Sequence, residues 1–473
     1  MKLLSNALAV ILAIAGVTVL AAAVVLICRY YQTRIAPSEV PEPPQQPAAA
    51  VVQPANGRFE TSLTYTCLAS PTGEATSTIT WDDAWFALDS NTYNHELARA
   101  AAVLSALAYA ESNYYQASYD CPPYMEDALT ALGFDEVSTE SYRYRSEIVD
   151  QVLNVFTQEE DSVAYTIARK RLDEGTGATR SVILVSVRGS YGAEWVSNLY
   201  VGEQGAAPHE ELAARAREAL EAEADRVREA PDLEALLEAH GNHAGYTDGA
   251  AEIMEAVRPW IAASHERGDA VTLLVVGHSR GGAIANIVAA QADDELAGAK
   301  DDPTWEEGAL GLGTGDAVMA YTFASPATTV SQDAHDARYG NIFNIVNPSD
   351  IVPYLPLSAW GYGRYGEDRF LPAVDDAGFD EAYSEMCARF EQAVGAESPY
   401  DPADARTVQA VIAEASRLVP TADAFLTPQG VASVIGACAT NVDPIRILYG
   451  HYPSTYIAWM QAIEEEGLRG QHT

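Results

Sequence analysis

Lysine is almost missing from this chain. It occurs at positions 2, 170 and 300 in 473 residues, and all basic side chains together number 28 against 67 acidic ones, a formal net charge of −39. Phosphate backbones are bound by clustered cations, so a nucleic-acid partner is excluded. The same deficit argues against adsorption onto anionic lipid headgroups by charge. Cysteine is scarce too. The five are Cys28, Cys67, Cys121, Cys387 and Cys438, and none has Cys-x-x-Cys spacing. A structural zinc site is therefore not expected, and no cofactor is implied. The last four cysteines form an even set, which permits two disulfides in an exported domain and leaves their pairing open.

Long apolar runs are also lacking, with one exception. Ala7 to Ile27 is nearly unbroken apolar sequence, flanked by Lys2 on one side and by Arg29 and Arg34 on the other. About 20 apolar residues cross a bilayer as a helix, and the run exceeds an ordinary signal-peptide core of about 7–15. Residues 1–35 are read as an N-terminal transmembrane anchor, with a cleaved signal as the alternative because of Ala21-Ala22-Ala23. Residues 36–57, with Pro37, Pro41, Pro43, Pro44, Pro47 and Pro54, read as a semi-rigid spacer. A spacer behind an anchor places the remaining domain, 58–473, off the membrane on the extracytoplasmic side.

Within that domain two helices are expected first, His95 to Glu111 with one apolar face, and Tyr124 to Leu132. Ser162 to Arg171 alternates as a half-buried strand, and Ser181 to Val187 reads as a buried one. Val271 to Val276, Ala317 to Phe323 and Asn341 to Val346 are further apolar, strand-length runs. A helix over Ala250 to Ser264 leads into the first of these, and Gly241 to Tyr246 reads as a loop. Strands separated by helices predict an α/β fold, a mainly parallel sheet with helices on both faces. Two insertions interrupt it, at about 202–242 and 357–449. The first contains Pro208 to His240, rich in alanine, glutamate and arginine, read as exposed helix or a lid. The second opens with Trp360, Tyr362, Tyr365 and Phe370, read as an aromatic wall.

The chemistry gathers at strand ends, where ligands bind in such sheets. The run Val271 to Val276 ends in Gly277-His278-Ser279-Arg280-Gly281 and then a helix-compatible stretch. Strand, sharp glycine turn and helix form the context of a nucleophile elbow, with Ser279 presented above the sheet. A serine hydroxyl needs a positioned base. His278 adjoins Ser279 on a sharp turn and points away, which makes it structural. His209, His240 and His265 belong to helices, and His243 is the rival. His451, in a loop after the acidic candidate, completes the chain order Ser279, Asp350, His451. Asp350 directly follows a buried strand, unlike Asp333 and Asp336, and its role is to orient and stabilise the imidazole. Two donors remain to be supplied to an oxyanion, the backbone N–H of Arg280 and Ser190 at the end of the preceding strand.

Arg188-Gly189-Ser190, Gly245-Tyr246, Gly277 to Ala283, Ser325-Pro326, Asn347 with Asp350 to Pro353, and His451 occur in one order. In that order the chain resembles the class 3 (fungal-type) lipases over roughly Ser162 to His451. The resemblance implies an α/β-hydrolase fold and a Ser279–Asp350–His451 triad. It also implies Ser190 at the oxyanion hole, a lid where Pro208 to His240 lies, and hydrolysis of carboxylic esters of lipids or other acyl esters. The chain departs from the group in two ways: Arg280 stands where leucine is usual, and the span from Asp350 to His451 is long. Three functions are therefore set against one another: a serine ester hydrolase, an idle hydrolase-like module that binds lipid or a cell-envelope partner, and an acyltransferase or peptidase using the same residues.

Overall fold

The computed structural model describes residues 56–116, 121–144, 163–175, 177–189, 242, 244–301, 310–425, 430, 433 and 444–470. The run Ala7 to Ile27, the spacer before Asn56, Ser190, His243, the Pro208 to His240 segment and Cys438 lie outside the described residues. Among the described residues no helix is long and apolar enough to cross a membrane.

A hairpin of β1 (Arg58–Thr66) and β2 (Glu74–Asp82) comes first and is separate from the main sheet. Helices α1 (His95–Gln116) and α2 (Tyr124–Ala131) follow, then β3 (Glu136–Ser138), β4 (Tyr165–Gly175) and β5 (Ala178–Val187). Next come α3 (Ala244–Glu266), β6 (Ala270–His278), α4 (Arg280–Asp301), β7 (Ala317–Phe323), β8 (Ile342–Val346) and β9 (Glu367–Phe370). The chain closes with α5 (Phe379–Val394), α6 (Asp404–Leu418), α7 (Ala422–Phe425), α8 (Pro444–His451), α9 (Pro453–Ala462) and β10 (Arg469–Gly470).

Among the described residues the main sheet has eight strands, in the order β10-β9-β8-β7-β6-β5-β4-β3. Strands β5 to β9 pair in parallel, while β3, β4 and β10 add antiparallel edges. Successive side chains of a strand face opposite sides, and here both sides are apolar. Val182, Leu184, Leu274 and Val276 face α1 and α9, whereas Ile183, Val185, Leu273 and Val275 face α3 and α4. A strand buried on both faces carries no alternation, which is why the central runs read as continuous apolar sequence.

Several expectations need correction. Helix α1 does not have one apolar face; Leu97 and every residue from Ala100 to Ala110 except Ser105 belong to the buried apolar set, and Ser105 is buried as well. The helix lies between the hairpin and the sheet, and its alanines let both approach closely. Strand β4 does not alternate: Thr166 to Lys170 are all buried, Arg169 and Lys170 included, and exposure begins at Arg171. Lys170 is held by Asp83 at 2.6 Å and donates to Leu132 O at 2.9 Å. The expected loop at Gly241 to Tyr246 is already helical from Ala244. The expected second insertion opens on a strand of the main sheet, β9, because Phe343 to Val346 offer it a parallel partner. Its aromatics form no single wall: Tyr365 packs on Tyr339 in the core, and Trp360 Nε1 donates to Val419 O at 2.8 Å. Cys67 and Cys387 are free thiols, so the two-disulfide framework is not formed.

One buried acid marks the α1–α2 junction. Glu111 Oε2 accepts from Met125 N at 2.8 Å, and burial pushes its carboxyl up to about 8, with Glu126 and Asp127 adding to the rise. The native state thus holds a proton that the unfolded chain releases at an ordinary carboxylate pH. The stability this group contributes is complete below about 4.5 and is lost as pH rises through about 8. Glu111→Gln is expected to flatten the fall in melting temperature between pH 5 and pH 9. Parallel melting curves for the two proteins would refute the assignment.

Candidate active site

Ser279 sits between the end of β6 and the start of α4, with φ of +58°. A non-glycine residue in this left-handed region is strained, and the surroundings must impose it. Here Ser279 N donates to Phe323 O at 2.9 Å, and Ser279 O accepts from Ala283 N at 3.0 Å. The flanking glycines are required by contact rather than by φ. A Cβ on Gly277 would lie 2.3 Å from Gly281 O, and one on Gly281 would lie 2.3 Å from Val187 O. Backbone cannot retreat as a side chain can. Gly281→Ala is expected to destabilise the fold by about 1–3 kcal/mol or more. Gly315→Ala, which meets nothing within 4 Å, is expected to stay within about 0.5 kcal/mol of the parent. Urea unfolding of the two variants checks the contrast.

Ser279 and Asp350, singled out by strand-end position, and His451, singled out by chain order, come together. His451 Nε2 lies 2.9 Å from Ser279 Oγ, and His451 Nδ1 lies 2.8 Å from Asp350 Oδ2. A carboxylate only accepts, so Nδ1 carries the hydrogen and Nε2 is left to accept from the serine hydroxyl. All three residues are buried. His451 is not in a loop: it is the last residue of α8.

Asp350 is fixed from four directions. Its N–H donates to Asn347 O at 3.0 Å, its Oδ1 accepts from Val352 N at 2.9 Å, and its Oδ2 accepts from Tyr456 Oη at 2.9 Å as well as from the imidazole. Burial and the nearby Asp350 charge raise the Tyr456 hydroxyl well above its ordinary value, so it remains a donor. Asn347 ties the same turn to α8, its Nδ2 donating to Gly450 O at 2.8 Å. Sequence reading missed the part played by Tyr456. It lies five residues after His451 without a pattern to mark it, and its partner is 106 positions away.

Arg280 is buried and opens α4, whose first-turn amides carry the positive end of the helix dipole. Its guanidinium lies near the buried Tyr246 hydroxyl and partly offsets the upward push of burial there. Ser190 lies outside the described residues, but Arg188 and Gly189 before it do not. Arg188 N donates to Ala164 O at 3.0 Å, and Arg188 Nη1 donates to Ser112 Oγ at 2.7 Å on α1. Of the other histidines, His95 Nε2 donates to Ile463 O at 2.8 Å in the core, His265 pairs with Asp316, and His335 meets Gly366 O. None of these three contacts involves Ser279. Among the described residues no cluster of three metal-ligating side chains occurs.

A mostly parallel sheet wrapped by helices, with Ser279 on a strained strand-to-helix turn, is the architecture of the α/β hydrolases. Over residues 200–360 the chain matches the family model of the class 3 lipases. Similar solved structures are fungal lipases. A Rhizomucor miehei lipase–propeptide complex aligns at 17% identity, covering 59% of this chain and 70% of that one, with a TM-score of 0.33. A lipase from Rhizopus microsporus var. chinensis aligns at 16% identity over 64% and 78%, with a TM-score of 0.31. No curated protein matches the chain.

Proposed function

We propose that this protein is a serine ester hydrolase that cleaves carboxylic esters of lipids through an acyl-enzyme. The observation that carries the reading is the continuous hydrogen-bonded line from Ser279 Oγ through His451 to Asp350. The class 3 lipase match makes lipid ester hydrolysis the activity to expect at family level.

In this mechanism His451 Nε2 takes the hydroxyl proton as Ser279 Oγ attacks the ester carbonyl. The oxyanion draws on the Arg280 N–H and on Ser190. His451 then gives its proton to the leaving alcohol, leaving an acyl group on Ser279. Water enters, His451 removes its proton as the water oxygen adds to the acyl carbon, and the bond to Ser279 Oγ then breaks as His451 returns the proton to Oγ, releasing the carboxylic acid. Asp350 stays ionised throughout and stabilises the imidazolium.

A fluorophosphonate probe tests the reading. Labelling of the intact chain that vanishes in Ser279→Ala is expected. An unlabelled native chain would favour the idle binding module, and release of amide or transfer products in place of free acid would favour peptidase or acyltransferase chemistry. Placement outside the cytoplasm, held by residues 1–35, is a separate proposal resting on the apolar run Ala7 to Ile27. Extraction of the full chain from membranes by alkaline carbonate would refute it.

A further inference from the structure

The imidazole one residue before Ser279 takes no part in the proton relay, yet it is built into the same cluster. His278 closes β6 and is buried, its ring centroid 4.8 Å from that of His451. Its Nε2 lies 2.7 Å from His451 O, an acceptor only, so Nε2 is the nitrogen that bears hydrogen. Its Nδ1 must then accept, and Tyr109 Oη lies 3.0 Å away as the donor. Burial holds this imidazole neutral by pushing it well below its ordinary value.

The main chain of His451 needs such a partner. As the last residue of α8 it has a carbonyl without an intrahelical acceptor role to fill. The carbonyl before it, Gly450 O, is taken by Asn347 Nδ2. Two consecutive carbonyls on either side of the His451 Cα are therefore each held by a side chain. Asp350 then fixes the ring.

Tyr109 reaches a second turn. A Cβ on Gly189 would lie 1.9 Å from Tyr109 Oη and 2.5 Å from His278 O. The hydroxyl therefore fills the space above the glycine that precedes Ser190. One helical turn along α1, Ser112 accepts from Arg188. Helix α1 lies outside the segment that matches the family model.

We propose that Tyr109 and His278 form a positioning pair: His278 sets the stand of the acid–base imidazole by holding the His451 carbonyl, and Tyr109 locks that setting to the Arg188–Gly189 turn. The proposal rests on the hydrolase reading above. It assigns neither residue a contact with substrate.

The test uses the full chain and a soluble activated ester, with fluorophosphonate labelling rates measured alongside. His278→Asn, which moves the amide donor away from the Nε2 position, is expected to lower kcat on the order of 10²-fold. His278→Gln places an amide N–H near Nε2 and is expected to recover most of that loss. Tyr109→Phe removes one oxygen and is expected to lower kcat about tenfold, with KM changed less than about twofold in all three. Equal kcat in the Asn and Gln variants, or losses confined to KM, would overturn the proposal, since a packing role does not distinguish where the amide sits. If His278→Asn does not fold, Tyr109→Phe at native kcat overturns it alone. A native chain that neither turns over ester nor labels at Ser279 removes the hydrolase reading itself, and this inference with it.

Discussion

Replacing Ser279 by alanine is expected to lower kcat by a factor on the order of 10⁶, because the proposed nucleophile and the hydrogen-bond partner of His451 are lost together. The loss should appear in kcat with substrate binding little changed, measured by ester turnover against bound-substrate titration. The fold should tolerate the change, since alanine fits the same space. Ser279→Gly makes a sharper companion. The +58° φ at this position is strained for any side chain, and glycine adopts it freely. Ser279→Gly is therefore expected to be inactive and more stable than the parent, by up to about 1–3 kcal/mol. A melting temperature below that of the parent would show that the turn stores no strain.

Asp350→Asn is expected to lower kcat about 10⁴-fold through the tautomer of His451. Both carboxylate oxygens accept: Oδ1 from Val352 N, and Oδ2 from His451 Nδ1 and Tyr456 Oη. An amide nitrogen in either place confronts a donor. Placed toward the imidazole, it needs Nδ1 to accept, which moves the hydrogen to Nε2 and blocks acceptance from Ser279. Placed toward Val352, it breaks the turn. Tyr456→Phe removes one of three donors and leaves the tautomer intact, so its loss should be far smaller. Comparable losses in the two variants, measured as kcat on one ester, would place the effect in packing rather than in the imidazole.

What could be read ahead of the structure depended on how local the cause was. Strand β7 was legible residue for residue, because an apolar run buried on both faces leaves an unmistakable block between turn residues. Ser279 and Asp350 were legible because each directly follows such a block. His451 was assigned by chain order, but its setting was misread. It was placed in a loop, whereas Gly450 and His451 are helical, and a Cβ on Gly450 would come 3.0 Å from Ser349 O, so close backbone approach explains the glycine. The burial of α1 on all sides was hidden because alanine carries little periodic signal. Tyr456, Tyr109 and the tie from Asn347 to Gly450 were beyond reach, since each works through hydrogen bonds to residues remote along the chain.

Helix α9 and strand β10 give the last stretch of chain a larger part than its length suggests. Pro453–Ala462 brings the Tyr456 hydroxyl to Asp350, and Arg469–Gly470 pairs with β9 at the sheet edge. A premature stop just beyond Tyr452 would spare all three residues of the relay and still strip the aspartate of a tether and the sheet of a border. Inactivating changes are thus to be sought downstream of His451 as well as upstream of it.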